Sequence, residues 1–193
     1  MTGIYELTVA PTVEPVWIDE VKAHSRIGIT QDDILIQDKI IAVRSWIEDN
    51  YDLVFCTQTW TLKLESFPVG DILIYKRPVQ SITKIEYKLN GVLTTLSTAV
   101  YAVDLKARPP RITLAYNQLW PLIANEDSGP GAVVVTFKAG WGDTAASVPQ
   151  QVRQFLLFRI ADFYENRETY TTEKREPIPF IESLIRSERL AKS

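Results

Sequence analysis

The apolar residues of this chain change their spacing twice, and this change limits the possible folds more than any other feature of the sequence. Within residues 32–50, large apolar residues recur every three or four positions, which is typical of an amphipathic helix. The members of this stripe are Ile36, Ile40, Val43 and Ile47, and Trp46 widens it. From residue 56 the spacing becomes two, and the helical spacing returns within residues 149–167. The order predicts helices on both sides of a block of strands.

The block between the helical stretches has the marks of antiparallel strands joined by short turns. In TQTWTLKLE, at residues 57–65, apolar and polar residues alternate, which predicts a half-buried strand. Asn90-Gly91 lies between apolar runs and predicts a hairpin. The runs DILIYK and AVVVTFKAG predict a second and a last strand. We expect five to seven strands here, with no helix between them.

Two further signals concern where the helices begin. A short helix is predicted at residues 15–27, and Thr30 is a suitable N-cap for the long helix that follows. The later helix carries an apolar stripe and follows Ser147, which we expect to cap it near Pro149. The stripe consists of Val152, Leu156, Ile160 and Phe163, widened by Phe155 and Ala161.

These elements predict an α+β fold. Two N-terminal helices and a long C-terminal helix form a helical body, a mainly antiparallel β module is inserted into it, and an extended C-terminal tail follows. The predicted segments are an extended N-terminal segment at residues 1–14, the N-terminal helices at 15–55, the β module at 56–140, the C-terminal helix at 141–168 and a docking tail at 169–193.

Composition argues against several classes of function. The 21 basic residues are outnumbered by 24 acidic ones and are interspersed with them, whereas nucleic-acid-binding domains concentrate positive charge on one face. A single cysteine, Cys56, excludes an internal disulfide, and a single histidine, His24, leaves no metal-ligand cluster. No apolar stretch approaches the length of a membrane span, and the N-terminus lacks the pattern of a signal peptide. We therefore expect no cofactor, no metal and no membrane association.

The segment Gly140-Trp141-Gly142-Asp143 allows two interpretations. A loop that cradles phosphate before a helix would make the protein a nucleotide-binding enzyme, but such loops carry more glycines and a Lys or Ser/Thr. The alternative is a structural turn, in which the glycines permit unusual backbone angles and Trp141 fills a gap. The turn is the favoured interpretation, and no catalytic residue is assigned.

A series of short motifs, taken in order, resembles the head–tail connector (head-completion adaptor) family of tailed phages, which also has relatives in prophages and gene transfer agents. The motifs are PVWIDEVKAHSRI, DDILIQDKIIAVRSWIE, TQTW, RPVQSITKIEY, VYAVD, LWP, VTFKAGWGD and VPQQVRQFLLFRIADFYENRE, and together they cover most of residues 15–168. One departure is Ser25, where the family usually has leucine in the first helix.

The resemblance implies a structural, non-enzymatic protein of the virion neck, assembled in the host cytoplasm. Copies would form a ring, expected to be a dodecamer, beneath the portal protein. The ring would extend the DNA channel, let DNA pass without specific binding and offer a platform to the stopper or tail-completion protein. A stopper or tail-side protein of the same neck is the closest alternative.

Two sets of interface residues follow as expectations. The tail segment EPIPFIESLI is apolar and too short to fold alone, so we expect it to dock on the portal. Its predicted anchors are Pro177, Ile178, Pro179, Phe180, Ile181, Leu184 and Ile185. The residues predicted at the interface between ring copies are Asp32, Arg44, Glu165, Arg167 and Glu168.

Overall fold

The computed structural model describes residues 3–165 and Ser183, and these residues confirm the α+β fold. The chain divides into two compact units, each built from two separate stretches of sequence. The strand unit contains Met1–Ala10 and Thr57–Gly140, and the helical unit contains Pro11–Cys56 and Trp141–Ser193. This division differs from the predicted segments at the N-terminus, because the first ten residues belong to the strand unit.

The strand unit contains eight described strands in two antiparallel sheets. Their bounds are β1 Ile4–Val9, β2 Gln58–Leu64, β3 Ile72–Leu73, β4 Val79–Leu89, β5 Val92–Thr95, β6 Tyr101–Asp104, β7 Arg111–Leu114 and β8 Val133–Ala139. The larger sheet has the order β1-β2-β8-β4-β5, and the smaller one has the order β3-β7-β6. The predicted strand DILIYK is reduced to the two residues of β3. Ile74 still donates to the carbonyl of Pro110, but Pro110 has no N–H with which to continue the ladder.

The core of the strand unit forms where β2 and β8 pair. Trp60 lies opposite Phe137 and Leu62 lies opposite Val135, and all four side chains are buried. The alternation predicted for β2 is confirmed, because its inward residues are buried and the residues between them are half-buried. β8 is apolar on both faces at its start, where Val133, Val134 and Val135 are all buried.

The predicted hairpin at Asn90-Gly91 is confirmed. The two residues have φ of 53° and 79°, the left-handed geometry that a tight turn between β4 and β5 requires. The amide of Gly91 donates to Oδ1 of the buried Asp127 at 2.7 Å, which ties the turn to the loop before β8.

The helical unit contains α1 Ile18–Ser25, α2 Asp33–Tyr51 and α3 Gln150–Glu165, with a short 3-10 helix at Ala145–Ser147. The predicted stripes account for its core, because a single cluster buries apolar residues of α2 and α3 together. These are Ile36, Ile40, Val43 and Ile47 from α2, and Val152, Phe155, Leu156 and Ile160 from α3.

Four local predictions for this unit are wrong. The N-cap of α2 is Asp32 and not Thr30, and Ser147 belongs to the 3-10 helix, where its hydroxyl bonds to that of Thr144. Trp46 and Phe163 were assigned to the buried stripes but are 52% and 46% exposed. Trp46 lies at the margin of its stripe, whereas Phe163 is in line with its stripe but lies in the last turn of α3, so neither is covered by the packing helix.

Candidate assembly surfaces

The helix α2 presents an apolar face on the side opposite its buried stripe. We define this outer face by Ile34, Leu35, Ile41, Ala42 and Trp46, all of which are exposed. At 100° per residue these positions fall within one arc of the helix, away from Ile36 and Ile40, and the exposed Asp38 and Asp49 lie within the same arc. Ile34 is 79% exposed. A helix that is apolar on a second face needs a second partner.

The end of α3 lies beside the first turns of α2. Lys39 donates from Nζ to the carbonyl of Phe163 at 2.8 Å, and its ammonium lies 3.7 Å above the ring of Phe163. The hydroxyl of Tyr164 donates to Oδ2 of Asp32. Asp32, a predicted ring-interface residue, therefore has a partner within its own chain, and Glu165 is exposed at the end of the helix. The ring-interface role of both stays a prediction.

Arg44, another predicted ring-interface residue, belongs to a buried ionic network. It donates to Oε2 of Glu14 from Nε at 2.7 Å and to Oε2 of Glu48 from Nη1 at 2.8 Å. Burial by itself lowers the pKa of Arg44, but the two carboxylates outweigh it and raise that pKa above its ordinary value. A contact between Arg44 and another copy would require this network to open, so its place at a ring interface also stays a prediction.

The remaining predicted interface residues lie outside the described part of the chain. They are Arg167 and Glu168 of the ring-interface set and the tail anchors Pro177, Ile178, Pro179, Phe180, Ile181, Leu184 and Ile185.

The glycine-bearing turn uses its backbone donors within the protein. In the strand unit, the amide of Gly140 donates to the carbonyl of Pro78 at 2.8 Å, with φ of 124°. In the helical unit, the amide of Trp141 donates to the carbonyl of Phe55 at 2.8 Å, and the two rings stack with centroids 5.8 Å apart. Since these amides are already bonded, they cannot converge on a phosphate.

Gly142 is required at its position by a close approach. A Cβ there would lie 2.5 Å from Oγ of Ser147 and 2.6 Å from its Cβ. Gly142 also forms a parallel bridge with Cys56, whereas Asp143 is exposed. This geometry is that of a packed strand-to-helix connection.

Cys56 lacks the properties of a nucleophile. The side chain is buried and unpaired, and burial, followed by the charges of Glu14 and Glu48, raises the pKa of the thiol to about 11. Within residues 3–165 and at Ser183, no group of three or more His, Cys, Asp or Glu residues could hold a metal ion. No helix in that same part of the chain is both long and apolar enough to cross a bilayer.

A cavity of about 300 Å³ in the strand unit is largely apolar. Tyr5 and Tyr75 line it, and the hydroxyl of Tyr5 accepts from the amide of Tyr75 at 2.9 Å. Its one carboxylate, Asp71, pairs with Arg111 at 3.5 Å. Tyr5 and Asp71 are therefore both engaged in contacts within the strand unit.

The strand unit exposes apolar side chains on the loop after β7. Tyr116, Leu119 and Leu122 are 98%, 84% and 94% exposed. Between them, Trp120 stacks on Phe67, with ring centroids 4.9 Å apart and planes within 4° of parallel, so the loop is anchored. The exposed apolar surface of this loop was not among the features predicted from the sequence. The signal was LWPL, an apolar run within a stretch of turn-forming residues.

The five-stranded sheet of this unit has two open edges, β1 and β5. Ile4, Leu7 and Val9 are exposed on β1, and Val92 and Leu93 are exposed on β5. Open edges with apolar residues favour pairing or packing with another chain.

Comparison with known proteins identifies chains of the same fold. Neither a family model nor a curated protein sequence matches this chain. Among solved structures, a chain from the neck of an empty gene transfer agent particle, determined with C6 symmetry, superposes with a TM-score of 0.82 at 21% identity, covering 98% of this chain and 97% of that one. A chain from the virion of a native gene transfer agent particle gives a TM-score of 0.82 at 19% identity, with the same coverage.

A third chain comes from the neck of a native gene transfer agent particle determined with C12 symmetry. It gives a TM-score of 0.78 at 22% identity and covers 100% of this chain and 97% of that one. The α+β architecture expected from the sequence resemblance is thereby confirmed. The chain shares the fold of these neck and virion chains over almost its whole length.

Proposed function

We propose that this protein is a structural connector in the neck of a phage-like virion. Copies of the chain form a ring beneath the portal, extend the DNA channel and provide the platform on which the stopper or tail attaches. The observation that carries the proposal is the fold likeness to chains of gene transfer agent necks, which spans 97–98% of both chains at a TM-score of 0.82.

The symmetry of those assemblies supports a ring of identical copies. Two of the similar chains come from neck structures with C6 and C12 symmetry. A rotational ring needs two different, complementary surfaces on each copy, because its contacts are heterologous. The helical unit offers the outer face of α2, and the strand unit offers the loop with Leu119 and Leu122. A ring of twelve copies repeats each modest contact many times, which makes the assembly stable as a whole.

The chemistry of the described residues supports a non-enzymatic role. Cys56 is buried with a raised pKa, and the amides of Gly140 and Trp141 are bonded within the protein. Exposed apolar side chains are the main feature of its surfaces, and such surfaces mark protein–protein contacts.

The charge of the protein is compatible with DNA transit. A net charge of −3 gives no general attraction for the phosphate backbone, so DNA in the channel would not be held by counterion release. We therefore propose that DNA passes through the ring without specific binding.

The C-terminal tail is proposed to dock on the portal. This docking requires the portal to be present, which would order the assembly steps. Deleting residues 175–193 should leave a folded protein that no longer joins portal-bearing capsids. The matched control is Thr171→Ala with Thr172→Ala, which changes the polar part of the tail and should retain binding.

Co-sedimentation with portal-bearing capsids, followed by electron microscopy, measures this directly. Capsid binding that survives the deletion rejects the portal-docking role of the tail. Pull-down with purified portal and tail proteins distinguishes the connector function from that of a stopper or tail-side protein. Capture by the tail protein together with no capture by the portal would favour the stopper or tail-side function.

A further inference from the structure

The outer face of α2 needs an occupant. Ile34 and Ile41 lie two turns apart on it, and Leu35 and Trp46 extend it to one side. No described residue covers this face, and yet its large apolar side chains cost free energy when they are left in water.

The described part of α3 ends beside the first turns of α2. Phe163, which is 46% exposed, lies under the ammonium of Lys39, on the second turn of α2. On the helix, Lys39 is one turn from Leu35 and borders it. The bond from Tyr164 to Asp32 holds the last turn of α3 against the start of α2. The last described residues of α3 therefore lie beside the N-terminal turns of α2, which carry Ile34 and Leu35.

The length of the tail is sufficient to cover the face. From Ile34 to Trp46 the helix rises by about 18 Å, at about 1.5 Å per residue. The twelve residues from Glu165 to Pro177 can span up to about 40 Å when extended. The segment from Pro177 to Ile185 can therefore reach any part of the outer face without leaving its own copy.

The chemistry of the tail matches that of the face. Large apolar residues are concentrated between residues 178 and 185, and Arg186 and Arg189 follow them. The exposed polar residues that accompany the apolar ones on the outer face include the acids Asp38 and Asp49. An apolar segment followed by cations thus meets a face in which the carboxylate of Asp38, one turn from Leu35 and Ala42, lies among the apolar side chains.

We propose that in the free protein residues 177–185 dock on the outer face of α2 of the same chain. The docking covers two apolar surfaces at once and keeps the free protein from associating through either. This inference does not depend on the proposed function. If the proposed function also holds, docking on α2 and docking on a portal compete for the same segment.

Thiol labelling at the outer face tests the proposal in the full-length protein. Ala42 is small, exposed and central to the face, so Ala42→Cys places a thiol there with little disturbance. The native Cys56 is buried and its pKa is about 11, so it reacts slowly and gives a low background. Thr98→Cys, on an exposed turn of the strand unit, reports the rate of an uncovered thiol.

The tail is then disrupted by Phe180→Asp with Ile181→Asp, and Thr171→Asp with Thr172→Asp serves as the charge-matched control. Labelling of Ala42→Cys with a thiol-specific reagent should be slowed about tenfold relative to Thr98→Cys. The Phe180/Ile181 variant should remove this protection, and the Thr171/Thr172 variant should keep it. The protection should be the same at low and high protein concentration.

Three results would overturn the proposal. If Ala42→Cys and Thr98→Cys are labelled at equal rates in proteins with the native tail, the face is open. Protection that persists in the Phe180/Ile181 variant would mean that something other than the tail covers it. Protection that increases with protein concentration would assign the face to a second copy.

Discussion

On helix α2, Nη1 of Arg44 lies 2.8 Å from Oε2 of Glu48, and both side chains are buried. The same guanidinium contacts Glu14 at 2.7 Å, while Oε1 of Glu48 accepts from the amide of Phe55 at 3.0 Å. A single cation therefore pairs with two carboxylates, and the network fixes the segments that carry Glu14 and Phe55 against the helix. Removing one member of such a network leaves uncompensated charge in a poorly hydrated place.

We predict that Arg44→Met lowers the free energy of unfolding by about 3–5 kcal/mol, because Glu14 and Glu48 lose their counter-charge. Urea unfolding measures the change. The control is Lys84→Met, which removes an exposed pair with Glu86 and should change stability by less than about 1 kcal/mol. Equal effects of the two substitutions would contradict a structural role for the network.

Stability should fall at alkaline pH in a way that depends on Cys56. Its pKa is raised from 9.0 to about 11 in the folded protein, so between these values the unfolded chain binds fewer protons than the folded one. The contribution of this thiol to the free energy of unfolding is therefore fully present below pH 9 and is lost as the pH rises toward 11. Between pH 8 and 10.5 the unaltered protein should lose about 2 kcal/mol more than Cys56→Ala. If the free energies of unfolding of the two proteins change with pH in parallel, burial does not suppress ionisation of the thiol.

The close approach of Gly142 to Ser147 gives a paired prediction. Gly142→Ala should lower the free energy of unfolding by about 1–3 kcal/mol, because the new methyl group meets the side chain of Ser147. Adding Ser147→Gly should recover a large part of this loss, since it removes both atoms in the way. Gly28→Ala is the control, because nothing lies within 4 Å of a Cβ at that position. Failure of the second substitution to rescue the first would exclude this contact as the cause.

The exposed loop of the strand unit should matter for assembly and not for folding. Leu119→Ser with Leu122→Ser should change the unfolding free energy by less than about 0.5 kcal/mol, because both side chains are already in water. In the proposed ring, the same variant should weaken assembly at least about tenfold, as measured by light scattering. A loss of stability without any change in assembly would mean that the loop supports the fold instead.

The long helix and the hairpin could be predicted because their signals are local. Ile36 and Ile40 lie one turn apart in sequence and in space, and the positive φ of Asn90 and Gly91 follows from their residue types. The place of β1 could not be predicted in this way. Ile4 pairs with Lys63, and no short-range pattern reveals a partner so far along the chain.

The candidate surfaces were the least predictable part. A stripe shows which residues of a helix can be buried, but only the packing of α3 decides that Trp46 remains exposed while Ile47 is buried. Arg44 illustrates the opposite case, because a charged residue expected at a surface is enclosed by Glu14 and Glu48. Both outcomes depend on tertiary contacts and not on the residue's own type.

The most direct test of the central claim, that copies of this protein join into a ring at a portal, is electron microscopy of the purified protein alone and mixed with portal. The proposal predicts ring-shaped particles with rotational symmetry that sit on one end of the portal. A protein that stays solitary with the portal present, and is absent from the necks of mature particles, would contradict it.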